Sequence, residues 1–313
     1  ELENTALAKT AIVMPIYHEP VQWTLSGLKA VYQDIERTGH LDRFEFHIIS
    51  DSRDPNVWLQ EQAEWHRLCE ELGAEGRLFY RRRRVNLNFK SGNVADFLRR
   101  WGRRYRYMVV LDADSLLSAG TIVKMVQLME REPNVAAIQM GDAAFWGHNA
   151  ILRVEPFMAH CGLRKLRGFG LFRGPIMSHD FVEAAYMGRA GYEVWLEPEL
   201  GNSFEESPPT ISDELSRDNR WSRGNLQHLW ILLFGRKLRL AHRMALLNGI
   251  MAYLASPLWL AFLILTTVEA VQMTVASINY FPEGHQGLFP LWPEWRPEWA
   301  IGLALSTLSL LFL

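Results

Sequence analysis

The first 140 residues alternate short apolar runs with longer segments of helical periodicity, and this alternation restricts the chain to few folds. The apolar runs predict strands over residues 10–17, 44–49, 77–82, 107–111 and 135–139. The segments between them predict helices over residues 21–36, 56–72, 92–101 and 121–130. Strands that alternate with helices favour an α/β fold with a mostly parallel sheet and helices on both faces.

Polar clusters follow three of the predicted strands, at residues 17–19, 51–54 and 112–114. In an open parallel sheet, ligands bind beyond the carboxyl ends of the strands. These clusters are therefore expected to share one cleft.

Composition excludes several classes of protein. The net charge of −2 gives no general attraction for nucleic acid. The basic run Arg81 to Arg84 has no stacking platform beside it that would indicate a nucleic-acid module. The two cysteines, Cys69 and Cys161, form neither a disulfide framework nor a metal-binding pattern, and they fit a reducing compartment.

The last third of the chain predicts membrane helices. Residues 244–268 contain no charged side chain, and a helix of this length spans about 37 Å, against a hydrocarbon core of about 30 Å. A buried helix of a soluble domain is the alternative. Residues 226–243 predict an amphipathic helix at the membrane interface. The final apolar run predicts a second span and a chain that is part of a longer protein.

Flanking charge sets the predicted orientation. Four basic residues precede the span, and only Arg296 lies in the Trp- and Pro-rich segment after it. The positive-inside rule then places the catalytic part in the cytoplasm. The predicted organisation is a cytoplasmic domain over residues 1–225, an interfacial helix over 226–243, a transmembrane helix over 244–276, an external loop over 277–298 and the start of a second transmembrane helix over 299–313.

Asp112 and Asp114 stand one residue apart directly after a predicted strand. Such a pair of carboxylates can hold Mg²⁺ or Mn²⁺, which prefer hard oxygen ligands and accept diphosphate oxygens in their remaining positions. A solvated loop is the alternative, and the preceding strand favours the metal site.

Asp51 and Lys90 are further candidates for nucleotide binding. Asp51 could accept hydrogen bonds from a base or ribose, or could cap the following helix. Lys90 precedes Ser91, Gly92 and Asn93, and a lysine near a helix start is suited to a diphosphate. The alternative for Lys90 is a solvated basic loop.

The second half of the chain carries the candidate reactive groups. Asp180, in the sequence Ser-His-Asp, could act as a general base or as a helix cap. On a helix, Arg217, Arg220 and Trp221 share one face, so the guanidinium groups could grip a diphosphate and the indole a sugar ring. A salt-bridged amphipathic helix is the alternative for these three.

A compact polar turn could line an acceptor sugar site. Its candidate residues are Trp146, His148 and Asn149.

Taken in order, these residues resemble glycosyltransferase family 2, the inverting nucleotide-sugar enzymes with the A-type fold. The resemblance covers residues 10–225 and adds Pro15, Tyr17 and Glu19 after the first strand, together with Asn93. Within the family the chain looks most like the inner-membrane synthases of osmoregulated periplasmic glucans, through the stretches YRRRR, KSGN, YMVVLDADS, WGHNAILRV, SHDFVEAA and DELSRDNRWSRGN.

The resemblance implies UDP-glucose as donor, a growing β-1,2-glucan as acceptor, a divalent metal and a bilayer location, with acyl carrier protein and periplasmic glucan-processing proteins as further partners. It implies that Asp180 is the base and that Asp112 and Asp114 hold the metal. Arg217, Arg220, Lys90 and Asn93 would then face the leaving group.

The same resemblance implies that Pro15, Tyr17, Glu19 and Asp51 surround the uridine and that Trp221 contacts sugar. This chain departs from the family in two respects. Arg217 stands where many processive synthases have Gln, and only six residues separate Gln139 from Trp146 where a much longer stretch is usual.

Three alternatives remain open at this stage. A related processive synthase would make cellulose, hyaluronan or chitin. A nucleotide-sugar sensor or scaffold would keep the fold without turnover, although Asp180 and the Arg/Trp motif argue against this. A transporter would need more spans than are visible.

Overall fold

The computed structural model describes residues 5–140, 149–162, 165–204, 210–275, 283–284, 286, 301–302 and 304–308. The chain divides into two compact units, Glu1–Leu246 and Leu247–Leu313. The first unit contains the central sheet and the candidate site residues. The second contains most of a long apolar helix.

The longer strands form the central sheet and the shorter ones form two separate antiparallel pairs, one of which, over residues 166–174, is a hairpin. They are β1 (Thr10–Ile16), β2 (Phe44–Ser50), β3 (Leu78–Arg82), β4 (Tyr107–Val110), β5 (Leu116–Leu117), β6 (Val135–Met140), β7 (Ala150–Arg153), β8 (Leu166–Arg167), β9 (Arg173–Gly174), β10 (Glu193–Glu197) and β11 (Ser203–Phe204). The helices are α1 (Val21–Arg37), α2 (Pro55–Leu72), α3 (Phe89–Trp101), α4 (Ala119–Arg131), α5 (Val154–His160), α6 (Asp180–Arg189), α7 (Ile211–Phe234) and α8 (Leu240–Val275).

The central sheet has seven strands in the order β10-β6-β7-β4-β1-β2-β3. All neighbouring strands run parallel except β7, which is antiparallel to both β4 and β6. The prediction of a mostly parallel α/β sheet is therefore confirmed. The polar loops after β1, β2 and β4 all lie at the carboxyl edge of this sheet.

Alternating side chains of the strands build two hydrophobic layers. In β1, Ile12 and Met14 face the layer covered by α1, α2 and α4, whereas Ala11 and Val13 face the layer covered by α3, α5 and α6. Both faces are apolar because both are covered, which is why the strands read as continuous apolar runs in the sequence. A third cluster packs α6 against α7.

The α7 helix runs without interruption from Ile211 to Phe234, so the predicted boundary at residue 225 falls inside it. It ends at Gly235, whose backbone is extended, and the guanidinium of Arg243 donates to the carbonyl oxygens of Leu232 and Gly235, both at 3.0 Å. Residues 235–239 separate α7 from α8. The predicted single interfacial helix over 226–243 is thus the end of one helix, a short connection and the start of another.

Helix α8 begins at Leu240, four residues before the predicted start of the span. Its segment Leu240–Gln272 is long and apolar enough to cross a membrane, with a mean hydropathy of 1.8, and it is the one such helix among the described residues. This length and composition support association with a membrane. The predicted external loop lies outside the described residues except for positions 283, 284 and 286, and the predicted second span is described only as short helical stretches within 301–308.

Candidate active site

Asp112 and Asp114 lie in the turn that follows β4, at the carboxyl edge of the sheet. The turn is closed by a hydrogen bond from the Ser115 main-chain nitrogen to the Asp112 carbonyl oxygen at 3.1 Å. The Nζ atom of Lys90 lies 2.5 Å from Asp112 Oδ1 and forms an ion pair with it. Two of the predicted diphosphate and metal residues therefore meet directly.

The neighbours of Lys90 explain its charge. Burial by itself would lower the pKa of Lys90, but the Asp112 carboxylate outweighs this and raises the pKa, with smaller contributions from Asp180 and Glu183. Lys90 therefore links the turn after β4 to the start of α6. Its own position differs from the prediction, because α3 begins at Phe89 and places Lys90 in the first helical turn.

Glu19 connects the loop after β1 to the same cleft. The pKa of Glu19 is raised above its usual range, first because of burial and then because the Asp114 and Asp112 carboxylates lie nearby. Arg220 on α7 opposes this shift. The loop after β1, the turn after β4 and α7 therefore face one another across a common space.

Asp180 is the first residue of α6, and His179 occupies the N-cap position without a side-chain capping bond. The His179 Nδ1 atom lies 3.0 Å from Asp180 Oδ1 and 3.2 Å from Glu183 Oε2. Burial alone would favour the neutral ring, but the Glu183 and Asp180 carboxylates raise the pKa of His179 to about 9. At neutral pH an imidazolium is thus held between two carboxylates.

Glu183 is almost fully buried one helical turn after His179. Burial raises the pKa of Glu183, and the adjacent His179 opposes that shift. Glu183 was not predicted as a site residue, although the spacing of His and Glu by four residues on a helix was visible in the sequence.

Asp51 is buried at the end of β2 and forms a two-pronged ion pair with Arg83. The distances are 2.5 Å from Arg83 Nε to Asp51 Oδ1 and 2.7 Å from Arg83 Nη2 to Asp51 Oδ2. Asp54, whose side chain accepts from the Asn56 main-chain nitrogen, caps α2. The alternative role of Asp51 as that cap is therefore wrong, and the basic run contributes Arg83 to the site.

A buried carboxylate supports the loop around Asp51. Glu61 on α2 accepts hydrogen bonds from Ser50 Oγ at 2.6 Å, Ser52 Oγ at 2.5 Å and the Tyr80 hydroxyl at 2.9 Å. Ser52 Oγ in turn accepts from the main-chain nitrogen of His18 at 2.9 Å. Glu61 thereby joins the loops after β1 and β2, and nothing in the local sequence pattern indicated it.

The Arg217 and Trp221 side chains of the motif on α7 lie on one face of the helix, as predicted. The Arg217 guanidinium lies over the Trp221 ring, 4.7 Å from its centroid, and bonds both carboxylate oxygens of Glu214. Trp221 remains exposed, as an indole that contacts a sugar must. The salt-bridged-helix alternative holds for Arg217, whereas the charge of Arg220 acts on Glu19 and opposes the rise in its pKa.

The remaining predicted residues divide into four groups. Tyr17 is exposed beside the cleft. Pro15 lies within β1, and Asn93 is buried with its amide donating to the Ile49 carbonyl oxygen at 2.9 Å, so both shape the site through the backbone. Asn149 is buried and its amide donates to Ser203 Oγ at 2.9 Å. Trp146 and His148 lie outside the described residues.

Asp112 and Asp114 are suited to a hard divalent cation by their carboxylate chemistry and their place at a strand end. Within the described part of the chain, no group of three or more His, Cys, Asp or Glu side chains is arranged to hold a metal ion. A cation at this turn would therefore need further oxygens from a substrate, which is the pattern expected when Mg²⁺ binds with a diphosphate.

Two family descriptions match the chain. Glycosyl transferase family 2 matches residues 11–186, and Glycosyl transferase family group 2 matches residues 140–312. Each match covers more than half of the 313 residues.

Curated relatives named Glucans biosynthesis glucosyltransferase H are similar to the chain over almost its whole length. The protein of Pectobacterium atrosepticum is 44% identical over 340 residues, which cover 97% of this chain and 40% of that protein. The protein of Ralstonia nicotianae is 45% identical, over 98% of this chain and 39% of that protein. The chain thus spans about two fifths of the length of these relatives, and the 340 aligned positions exceed its own 313 residues.

Solved structures give more distant similarities. S. aureus TarS 1–349 in complex with UDP-GlcNAc has a TM-score of 0.48 at 10% identity, over 79% of this chain and 72% of that chain. GalNAc-T7 with UDP, GalNAc and Mn²⁺ has a TM-score of 0.47 at 11% identity, over 72% of this chain and 50% of that chain.

The sheet topology, the acidic turn after β4 and the base candidate at the start of α6 fall within the residues that the family descriptions match. Together with those matches, they assign the chain to glycosyltransferase family 2, to which it belongs.

Proposed function

We propose that the chain is the catalytic part of an inverting glucosyltransferase that transfers glucose from UDP-glucose to a growing β-1,2-linked glucan. The observation that carries the proposal is the position of Lys90, which pairs with Asp112 and also interacts electrostatically with Asp180 at the carboxyl edge of the sheet. The names of the curated relatives support glucan as the product.

In the proposed reaction, Asp180 removes the proton from an acceptor hydroxyl as that oxygen attacks the anomeric carbon. The new carbon–oxygen bond forms while the bond to the diphosphate breaks, and UDP leaves with the electron pair. A single displacement of this kind inverts the anomeric configuration. The His179 imidazolium holds the Asp180 carboxylate from one side, which leaves the other side for the acceptor.

Leaving-group charge is balanced by cationic side chains around the cleft. Lys90 contacts Asp112 in the acidic turn and Arg220 lies close enough to Glu19 to act on its charge, so both cations would receive the diphosphate. A divalent cation at Asp112 and Asp114 would supply further stabilisation of the negative charge on the diphosphate oxygens. Such preorganised charges act where charge develops in the transition state.

Uridine would bind at the loops after β1 and β2. Asp51 is fixed there by Arg83, and Tyr17 presents an exposed ring at the same edge. An acceptor sugar would contact Trp221 and the segment around Asn149, because the exposed indole offers an apolar face to a sugar ring.

We place the catalytic unit at the cytoplasmic face of a bacterial inner membrane within a multi-pass protein. The apolar helix Leu240–Gln272 and the basic residues just before it support this location. Acyl carrier protein and periplasmic glucan-processing proteins are proposed partners on family resemblance alone. Co-purification of these proteins with the membrane-extracted enzyme tests them.

The decisive experiment is product analysis with purified full-length protein, UDP-glucose and Mg²⁺, comparing wild type with Asp180→Asn. Loss of a general base costs about 10²–10⁴-fold in rate, whereas calorimetric binding of UDP should remain within twofold of wild type. Asp54→Asn is the matched control, since asparagine also caps a helix.

Wild-type protein that binds UDP-glucose but forms no polymer would indicate a sensor or scaffold. A polymer with another linkage would identify a related synthase. An equal loss of UDP binding and transfer in Asp180→Asn would refute the base assignment.

A further inference from the structure

Four aromatic rings form a continuous row between the short β8–β9 hairpin and the end of α7. Ring centroids are 6.2 Å apart for Phe169 and Phe172, 6.0 Å for Phe172 and Trp230, and 4.3 Å for Trp230 and Phe234. The two ends of the row face solvent, with Phe169 exposed by 75% and Phe234 by 62%. Contiguous apolar surface of this kind marks an interaction site.

The hairpin backbone holds Phe169 outward. Gly170 has a φ of 53°, in the left-handed region, and a Cβ atom at Gly168 would lie 2.7 Å from the Phe172 carbonyl oxygen. Glycine is therefore required on both sides of Phe169. The exposure of this ring is a property of the hairpin's conformation, because the glycines fix the turn that carries it.

Basic side chains flank both ends of the aromatic row. Segments 165–175 and 230–243 contain no Asp or Glu. Six of their basic residues are exposed, namely Lys165, Arg167, Arg173, Arg236, Lys237 and Arg239. None of the six forms an ion pair with a carboxylate in the part of the chain that the structure describes. An apolar strip bordered by unpaired cations is complementary to an anionic membrane surface.

We propose that the β8–β9 hairpin is a second membrane-contacting element, in which Phe169 enters the bilayer interface beside Phe234 and the six basic side chains bind anionic lipid headgroups. The proposal rests on the membrane location given under the proposed function. It adds an element that no apolar run of the sequence indicated. Trp is favoured at the headgroup level, and Phe is suited to the boundary between headgroups and acyl chains when basic residues flank it.

The hairpin is connected to the candidate base through α7. The buried amide of Gln227 accepts from the Met177 main-chain nitrogen at 3.0 Å and donates to the Pro175 carbonyl oxygen at 3.2 Å. His228 Nε2 lies 2.8 Å from the Ser178 carbonyl oxygen. The segment that leads from the hairpin to Asp180 is thus fixed to the helix whose end shares the lipid surface. Contact of the hairpin with lipid would therefore also restrict the position of Asp180.

The first test measures depth in the membrane. An environment-sensitive fluorophore is attached to the cysteine of Phe169→Cys in the full-length protein. The native Cys69 and Cys161 are buried, which limits labelling at those positions. The labelled protein is then reconstituted into nanodiscs that contain quencher-bearing lipids. The matched control is Leu59→Cys, an exposed apolar position on α2, which covers the other face of the sheet from α6. Quenching at position 169 and none at position 59 supports the proposal.

No quenching at position 169, or equal quenching at both positions, overturns the proposal. A fluorophore at position 169 that reports an apolar environment but is not quenched by the lipids would show that a protein partner or a second copy of the chain covers the hairpin, and this also overturns the proposal. The measurement does not require turnover. It therefore remains decisive if the proposed sugar transfer is not observed.

The second test concerns charge. Arg167→Glu combined with Arg173→Glu should raise the fraction of anionic lipid needed for half-maximal quenching, because each basic residue near an anionic surface contributes about fivefold in affinity. The control pair is Arg103→Glu with Arg104→Glu, which are exposed just before β4 at the opposite edge of the sheet. An equal effect of the two pairs overturns the headgroup assignment.

Discussion

The imidazolium between Asp180 and Glu183 makes stability depend on pH in a way that one substitution should remove. Glu183 is the strongest of the charges that raise the pKa of His179 from 6.5 to about 9. In Glu183→Gln that charge is absent, and burial then favours the neutral ring. We expect the pKa of His179 to fall well below its wild-type value in this variant.

The size of the effect follows from linkage. Between pH 6.5 and about 9 the folded protein keeps a proton on His179 that the unfolded chain has lost. Stability is therefore greatest below pH 6.5 and decreases as the pH rises through this window. A shift of this size corresponds to about 3 kcal/mol, which is a fall of roughly 6–12 °C in melting temperature for a domain of this length.

The assay is thermal unfolding of the reconstituted protein at pH 6, 7, 8 and 9, for wild type and Glu183→Gln. The control is Glu70→Gln, because His66 and Glu70 form the same i,i+4 pair on α2 at 3.7 Å but with both side chains exposed. Solvent screens such a pair, so this variant should follow the wild-type curve. Parallel curves for wild type and Glu183→Gln would falsify the assignment of a buried imidazolium.

Three further changes test the cleft. In Gly224→Ala the new Cβ would lie 2.6 Å from the main-chain nitrogen of Ser178, just before α6. The free energy of unfolding should therefore fall by about 1–3 kcal/mol. The control is Gly120→Ala, which has open space around it and should be tolerated. Asp114→Ala should abolish the part of UDP binding that depends on Mg²⁺, and calorimetry showing unchanged metal dependence would refute that role. Arg83→Gln leaves the buried Asp51 carboxylate without its partner and should lower the free energy of unfolding by about 3–5 kcal/mol; chemical denaturation would measure this, and a change below 1 kcal/mol would contradict it.

The sequence allowed the parallel part of the fold to be predicted because each strand there is covered on both sides. The runs that begin at Thr10, Phe44 and Tyr107 are mostly apolar and mostly buried, and their strands start at the predicted residues. The antiparallel strand β7 was not predicted. Its four residues are buried, but its pairing with β4 and β6 depends on contacts distant in the sequence, which a local pattern does not contain.

The candidate site shows the same division between local and long-range information. Asp112, Asp180 and the Arg/Trp face of α7 were identified from short motifs, because their functional spacing is local. Arg83 and Glu61 were missed, since the partners that define their roles lie on other elements, 32 residues away for Arg83 and 9 to 19 residues away for Glu61. From the sequence alone, a carboxylate on a helix is expected to be exposed to solvent. Its burial can be inferred only once the serine hydroxyls that donate to it are known.

The helix boundary near the membrane was wrong for a related reason. Amphipathic character continues from the motif on α7 into the segment after it, so composition could not locate the end of the helix. The helix ends where the backbone of Gly235 becomes extended. The guanidinium of Arg243 donates hydrogen bonds to the carbonyl oxygens of Leu232 and Gly235 at this end.

The ion pair between Lys90 and Asp112 affects the order in which a cation and a nucleotide bind in the cleft. A cation bound at Asp112 would compete with the Lys90 ammonium group, which would then be available to a diphosphate. A nucleotide that arrives without its cation meets a lysine still engaged by a carboxylate. We expect the two to enter as one complex, so that phosphates without a bound cation occupy the cleft poorly.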